Sequence, residues 1–145
     1  MLDEVLLIDD DEITLMICEF VIKKEGFARE VSILKNGQEG IDYFQELEQK
    51  LKQQATEKPF ELILLDLHMP VMSGWEFLEE FETRFEKSFP GVKICILTSS
   101  VDPLDLTNSK IYNNVIGFIN KPLTAQRLEE IKENEHIAHL FSDIK

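Results

Sequence analysis

Positive charge is scarce in this sequence: 15 Lys and Arg stand against 28 Asp and Glu, a net charge of −13. A chain so poor in Lys and Arg cannot readily grip a nucleic-acid backbone or an anionic bilayer, because both require clustered cations. No nucleic-acid partner is therefore expected. Long hydrophobic runs are missing too; none approaches the roughly 20 residues of a membrane span, so no membrane insertion is expected either. There are only two cysteines, Cys18 and Cys95, with neither C-x-x-C nor a metal-type spacing. Cys95 lies in "VKICIL" and reads as a buried thiol, whereas Cys18 reads as lying beside the apolar stripe of its helix. Both suit a reduced compartment. A strand begins by residue five, which leaves no room for a signal peptide, and a cytoplasmic location is the expectation. Repeats and low-complexity segments are absent.

What remains is an ordinary globular composition, 43% hydrophobic and 30% charged over 145 residues, enough for one domain with a sizeable core. Short apolar runs alternate with segments of helical period. Residues 5–8 read as a strand. Ile13, Met16, Ile17, Phe20 and Val21 then recur at the spacing of an amphipathic helix, which Gly26 closes. Residues 27–34 form the second expected strand. Asn36 with Glu39 reads as an N-cap and its reciprocal acid, opening a helix to about Leu51. A polar loop, "KQQATEKP", leads to a third strand at 60–65. Ser73 and Glu76 then make a capping box for a helix carrying Phe77, Leu78, Phe81 and Phe85. A fourth strand at 92–97, a short helix at 103–111, a fifth strand at 115–119 and a helix capped by Thr124 complete the pattern. Such alternation predicts an α/β fold: a five-stranded parallel sheet with helices on both faces and right-handed crossovers.

Ligands of open α/β sheets gather at the carboxyl ends of the strands, and here those ends carry the polar residues. The first strand ends on Asp9 and Asp10, the third on Asp66, the fourth on Thr98 and Ser99, and the fifth on Lys121-Pro122. Three carboxylates held together repel unless a cation joins them. The donor set suits a hard, oxygen-seeking ion, with Mg²⁺ the best match. A metal, a solitary carboxylate, a hydroxyl and an ammonium are also the parts of a phosphoryl-transfer site, with Asp66 as nucleophile.

In order and spacing, "LLIDDD", "LILLDLHMPVMSG", "ILTSS" and "GFINKPLT" resemble the motifs of a response-regulator receiver domain of two-component signalling, over roughly residues 4–132. The resemblance implies a flavodoxin-like doubly wound sheet of strand order 2-1-3-4-5. By position it implies that Asp66 is the phosphoacceptor and that Asp10 binds Mg²⁺ directly. Asp9 would assist, and His68 would lend its backbone carbonyl. Thr98 and Lys121 would hold the phosphoryl group, with Thr98 and Phe118 as the switch pair and Lys121-Pro122 as a cis peptide. Phe118 lacks the hydroxyl that some relatives carry as Tyr, so any switching there must work by packing. The implied partners are a sensor histidine kinase or phosphotransfer protein and a downstream protein target.

Several residues have plainer readings. Asp11 suits an N-cap better than a third metal ligand. His68 suits an exposed loop position, His136 and His139 the surface, and Trp75 with the phenylalanines helix-to-sheet packing. Residues 133–145 are read as a helical extension with no output domain. Its stripe of Ile137, Leu140, Phe141 and Ile144 is expected to dock on the domain's own body in preference to a partner. A Mg²⁺-dependent phosphohydrolase with an aspartyl nucleophile is the alternative to a non-enzymatic switch. Against turnover stands His68, two residues after Asp66, where dehalogenase-type enzymes carry a second acid. A scaffold that never accepts phosphate is the third possibility.

Overall fold

The computed structural model describes residues 1–53 and 61–141. In chain order the elements are β1 (Leu2–Ile8), α1 (Glu12–Lys24), β2 (Ala28–Leu34), α2 (Gly37–Lys52), β3 (Leu62–Leu65) and α3 (Gly74–Arg84). β4 (Lys93–Thr98), α4 (Pro103–Ser109), β5 (Val115–Asn120) and α5 (Ala125–Lys132) follow, then a 3₁₀ turn at Ala138–Phe141. The five strands are all parallel, in the order β2-β1-β3-β4-β5. This is the expected flavodoxin-like sheet. The loop read at "KQQATEKP" and the expected start of β3 at Phe60 fall largely outside the described residues, as does Ile144.

Strand alternation divides the core in two. Val5, Leu7, Leu62, Leu64, Cys95 and Leu97 face α1 and α5. Leu6, Ile8, Ile63, Leu65, Ile94 and Ile96 face α2 and α3, whose Phe44, Phe77 and Phe81 pack together with Phe85 and Phe89. The caps form where the local signals placed them. Ser73 and Glu76 make both bonds of the capping box. Asn36 accepts from Glu39 N–H, but the Glu39 carboxylate reaches one residue further back than expected, to Lys35 N–H. Gly26 has φ +63 and ends α1 in the left-handed region that glycine enters without cost.

Two expectations need correction, and they share a cause. The buried face of α1 is Leu15, Cys18 and Ile22, with Val21 at its margin. The anticipated stripe instead points outward, with Ile13 67%, Met16 70% and Phe20 63% exposed. Cys18 therefore lies on the core face, where burial pushes its thiol up to about 12. α1 carries two apolar arcs, and helical periodicity alone does not say which one meets the sheet.

The carboxyl-terminal segment closes over the first core face. Ile137 is fully buried there, and the Phe141 ring lies 5.0 Å from that of Phe27. Asn134 fastens the turn by donating its Nδ2 to Ile116 O at 2.7 Å. His136 and His139 are exposed, as expected.

Candidate functional site

Register brings the strand ends together. The last β1–β3 pair is Ile8↔Leu65, so Asp9 and Asp66 come next on adjacent strands. Asp66 N–H donates to Ile8 O at 2.9 Å, and Asp9 N–H donates to Leu34 O at 3.0 Å, which fixes both backbones. Across the sheet Thr98 pairs with Asn120, and Lys121 N–H donates to Thr98 O at 2.8 Å. The peptide that follows, Lys121-Pro122, is cis.

Within this frame the carboxylates of Asp9, Asp10 and Asp66 offer oxygens that all lie within 4.8 Å of one another. Asp9 and Asp66 are buried, and Asp10 is exposed at the mouth. The Lys121 ammonium sits 2.9 Å from Asp9 Oδ2 and 3.6 Å from Asp66 Oδ1. Asp9 Oδ1 accepts from Asp11 N–H at 2.9 Å. Among the described residues, Asp9 Oδ2 is buried and, the nearby ammonium aside, receives no hydrogen bond of proper direction. One partly buried ammonium thus faces two buried carboxylates and a third at the rim. That deficit of positive charge, and an oxygen left underused, fit a small hard dication.

Burial raises the pKa of Asp66 above the usual carboxylate range, and the charge of Asp9 adds to the effect. Lys121 and the His68 backbone N–H pull the other way without cancelling it. Burial alone would lower Lys121, but its hydrogen bond to Asp9 and the charges of Asp9 and Asp66 hold it above its ordinary value. Asp11 stands apart from the cluster. Its carboxylate accepts from the Thr14 hydroxyl at 2.6 Å and from Ile13 N–H, so it is the N-cap of α1. His68 is exposed on the β3–α3 loop. Thr98 is fully buried, its hydroxyl accepting from Ser100 N–H at 3.1 Å. Phe118 lies half-buried on β5 opposite Ile96, at the edge of the second core face.

A family model for the response regulator receiver domain matches residues 5–133. The chain belongs to this family. A rice (Oryza sativa subsp. japonica) relative, the two-component response regulator ORR41, is 30% identical over 126 residues, covering 86% of this chain and 87% of that protein. The histidine kinase CKI1 of Arabidopsis thaliana is 32% identical over 138 residues, 91% of this chain but 12% of the kinase. Among solved structures, a two-component response regulator from Cytophaga hutchinsonii superposes with a TM-score of 0.77 at 31% identity, covering 90% of this chain and 93% of its own.

The receiver's pocket also depends on residues that sequence reasoning passed over. A Cβ at Gly74 would sit 2.2 Å from the Asp66 carbonyl oxygen and 2.8 Å from Leu67 Cα. Gly74 N–H donates to Leu67 O at 2.9 Å, so α3 starts in direct backbone contact with the end of β3. Gly37 does the same for α2, donating to Met72 O at 3.0 Å with no room for a Cβ. The signal existed, since each glycine directly follows a capping residue. Val71 gave none. It has φ +69, a left-handed conformation that costs a β-branched residue about 1–3 kcal/mol, and its side chain is exposed on the β3–α3 loop.

Proposed function

We propose that this receiver is a phosphorylation switch that takes a phosphoryl group onto Asp66 from the phosphohistidine of a sensor histidine kinase or phosphotransfer protein. The observation that carries this reading is one buried carboxylate flanked by Lys121, with the buried Thr98 on the neighbouring strand. An oxygen of ionised Asp66 attacks phosphorus, the P–N bond of the donor breaks, and its electron pair stays on the departing imidazole. Lys121 is positioned to follow the new phosphoryl oxygens, and the Thr98 hydroxyl, which among the described residues only accepts, keeps its proton to offer them. Asp10, Asp66 and the His68 carbonyl would hold Mg²⁺, with Asp9 assisting. Bound there, the ion would neutralise charge on the transferring group. His68, two positions beyond Asp66, offers no second acid for rapid hydrolysis, which favours a switch over a phosphohydrolase.

Intact mass after incubation with Mg²⁺ and phosphoramidate tests the assignment. The unsubstituted chain should gain one phosphoryl group and Asp66→Asn none; stoichiometric labelling of Asp66→Asn would exclude it. Without metal, Asp66→Asn should also be the more stable protein to chemical denaturation, because the raised pKa of Asp66 marks its ionised form as unfavourable in the fold.

The outward arc of α1 supplies the docking site for the phosphodonor. Ile13, Met16, Ile17 and Phe20 line one exposed side of a helix whose N-cap, Asp11, is held by Asp9 itself. A donor helix laid along this arc would have its phosphohistidine at the pocket mouth. Met16→Ser with Phe20→Ser should lower the rate of transfer from any phosphohistidine protein that serves the unsubstituted chain by about tenfold or more. Labelling by phosphoramidate should be unaffected. Equal loss with both donors would instead mean damage to the pocket.

Output by contact with a downstream protein, or by onward phosphotransfer, follows from the proposal. α4 is the element best placed to carry the change, since Leu104 and Leu106 are exposed and Ser109 is its one buried residue. Thr98 and Phe118 would be the switch pair feeding it, and residues 133–141 a strap on the receiver of residues 1–132.

A further inference from the structure

Every polar group of Ser100, in the β4–α4 loop, is engaged, and its bonds lead to three different elements. Its N–H donates to the Thr98 hydroxyl at 3.1 Å. Its carbonyl accepts from Asn120 Nδ2 at 2.6 Å, the residue next to Lys121 at the end of β5. Its hydroxyl donates to the Asp105 carboxylate on α4 and accepts from Asp102 N–H, the N-cap of that helix, at 3.2 Å. Asp102 in turn caps Leu104 N–H at 2.9 Å.

We propose that Ser100 is a positioning residue that couples the Thr98 hydroxyl to the first turn of α4, with Asn120 as its fixed pivot. The inference rests on Asp66 as phosphoacceptor and adds the route by which that site reaches α4. Ser100 N–H is the one hydrogen bond on the Thr98 hydroxyl among the described residues. When the hydroxyl oxygen is drawn toward a phosphoryl oxygen to donate to it, Ser100 N–H must either follow that oxygen or lose its acceptor. A part-buried donor gains from keeping its partner, so following is favoured. The Asn120 bond holds the Ser100 carbonyl to the rigid sheet, which turns a shift of the N–H into a rotation of the residue. The hydroxyl then moves, and with it Asp102 and Asp105. α4 offers little resistance: it is seven residues long, and its apolar side chains Leu104 and Leu106 are exposed. Short elements with few buried contacts open and shift at low free-energy cost.

Ser100→Ala keeps both backbone bonds and removes only the two made by the hydroxyl, so it separates coupling from chemistry. Asp105→Ala cuts the same link from the other side. Hydrogen exchange across residues 102–110, with and without Mg²⁺ and beryllofluoride, reads α4, while intact mass after phosphoramidate reads Asp66. In the unsubstituted chain, beryllofluoride should change exchange across 102–110. Both alanine variants should lose at least half of that change while their labelling of Asp66 stays within about twofold, and Ser100→Thr, which keeps the hydroxyl, should restore the response. An α4 response in Ser100→Ala equal to that of the unsubstituted chain would overturn the coupling. So would a large loss of labelling in Ser100→Ala, which would put Ser100 in the transfer chemistry itself. If the unsubstituted chain takes no phosphoryl group at all, the phosphoacceptor reading has failed and the coupling falls with it. That result is distinct, because it appears before any substitution is made.

Discussion

Gly74→Ala should cost at least about 2 kcal/mol of stability and should strip Asp66 of most of its reactivity. Overpacking a tight site usually costs about 1–3 kcal/mol, and that range assumes neighbours that can move aside. Here the obstacle is backbone on both counts: the Asp66 carbonyl oxygen at 2.2 Å and Leu67 Cα at 2.8 Å from the added carbon. The start of α3 is also pinned by Gly74 N–H to Leu67 O and by the Ser73–Glu76 capping box, so it cannot slide away without giving up hydrogen bonds. The strand end that carries Asp66 would have to shift instead. A misplacement of about 1 Å at a reacting group is enough for a hundredfold loss of rate. Gly91→Ala is the matched control, because nothing lies within 4 Å of its Cβ position. Denaturation midpoints of the two variants, with phosphoramidate labelling rates, check the claim. If Gly74→Ala is as stable as Gly91→Ala, then α3 is not seated on β3 as described.

The contrast between the two glycines shows where a sequence stops being legible. The strands, the caps and the acidic strand ends could be read because their causes are local: apolar runs, S-x-x-E, and a carboxylate where an apolar run stops. Strand order came through the resemblance to receivers. The orientation of α1 was not legible, since two apolar arcs compete and only packing against Val5 and Leu7 decides between them. The role of Gly74 depends on how closely a helix start approaches a strand end, which spacing does not encode. Ser100 was likewise hidden. Serine in a loop is unremarked until Asn120, twenty residues later in the chain, is seen holding its carbonyl. The site's chemistry was written in residue types, whereas its mechanical support lies in contacts between elements.

Lys121→Met should be the most destabilising single change inside the pocket, by about 3 kcal/mol at neutral pH. Its ammonium is the counter-charge for Asp9 at 2.9 Å and Asp66 at 3.6 Å; both carboxylates are buried, at 5% and 6% exposure, and the Lys121 side chain is largely covered, at 15%. Removing one partner from a buried ion cluster costs about 3–5 kcal/mol, since the charges left behind remain desolvated. The lower end applies because Asp66, whose pKa is already raised, can take up a proton. Methionine keeps the length of the chain, so the loss reports charge more than cavity. The pH dependence gives the claim its sign. Asp66 already has a raised pKa from burial and from Asp9, and losing Lys121 must raise it further. An acid whose pKa rises on folding binds more protons folded than unfolded, so stability falls as pH increases through that window. The variant should therefore recover stability as the pH is lowered from neutrality into the raised carboxylate range. The unsubstituted chain carries a second dependence at the alkaline end. Its Lys121 has a raised pKa, so the stabilisation it gives is complete below the ordinary lysine value and is lost as pH climbs through the folded one. Lys121→Met should lack that alkaline loss. Mg²⁺ should also stabilise Lys121→Met more than the unsubstituted chain, since a dication held by the same acids replaces the missing charge. Denaturation across pH, with and without Mg²⁺, reads all of these effects. If Lys121→Met matched the unsubstituted chain at neutral pH and showed no acid recovery, Asp9 and Asp66 would not share a buried charge that Lys121 balances.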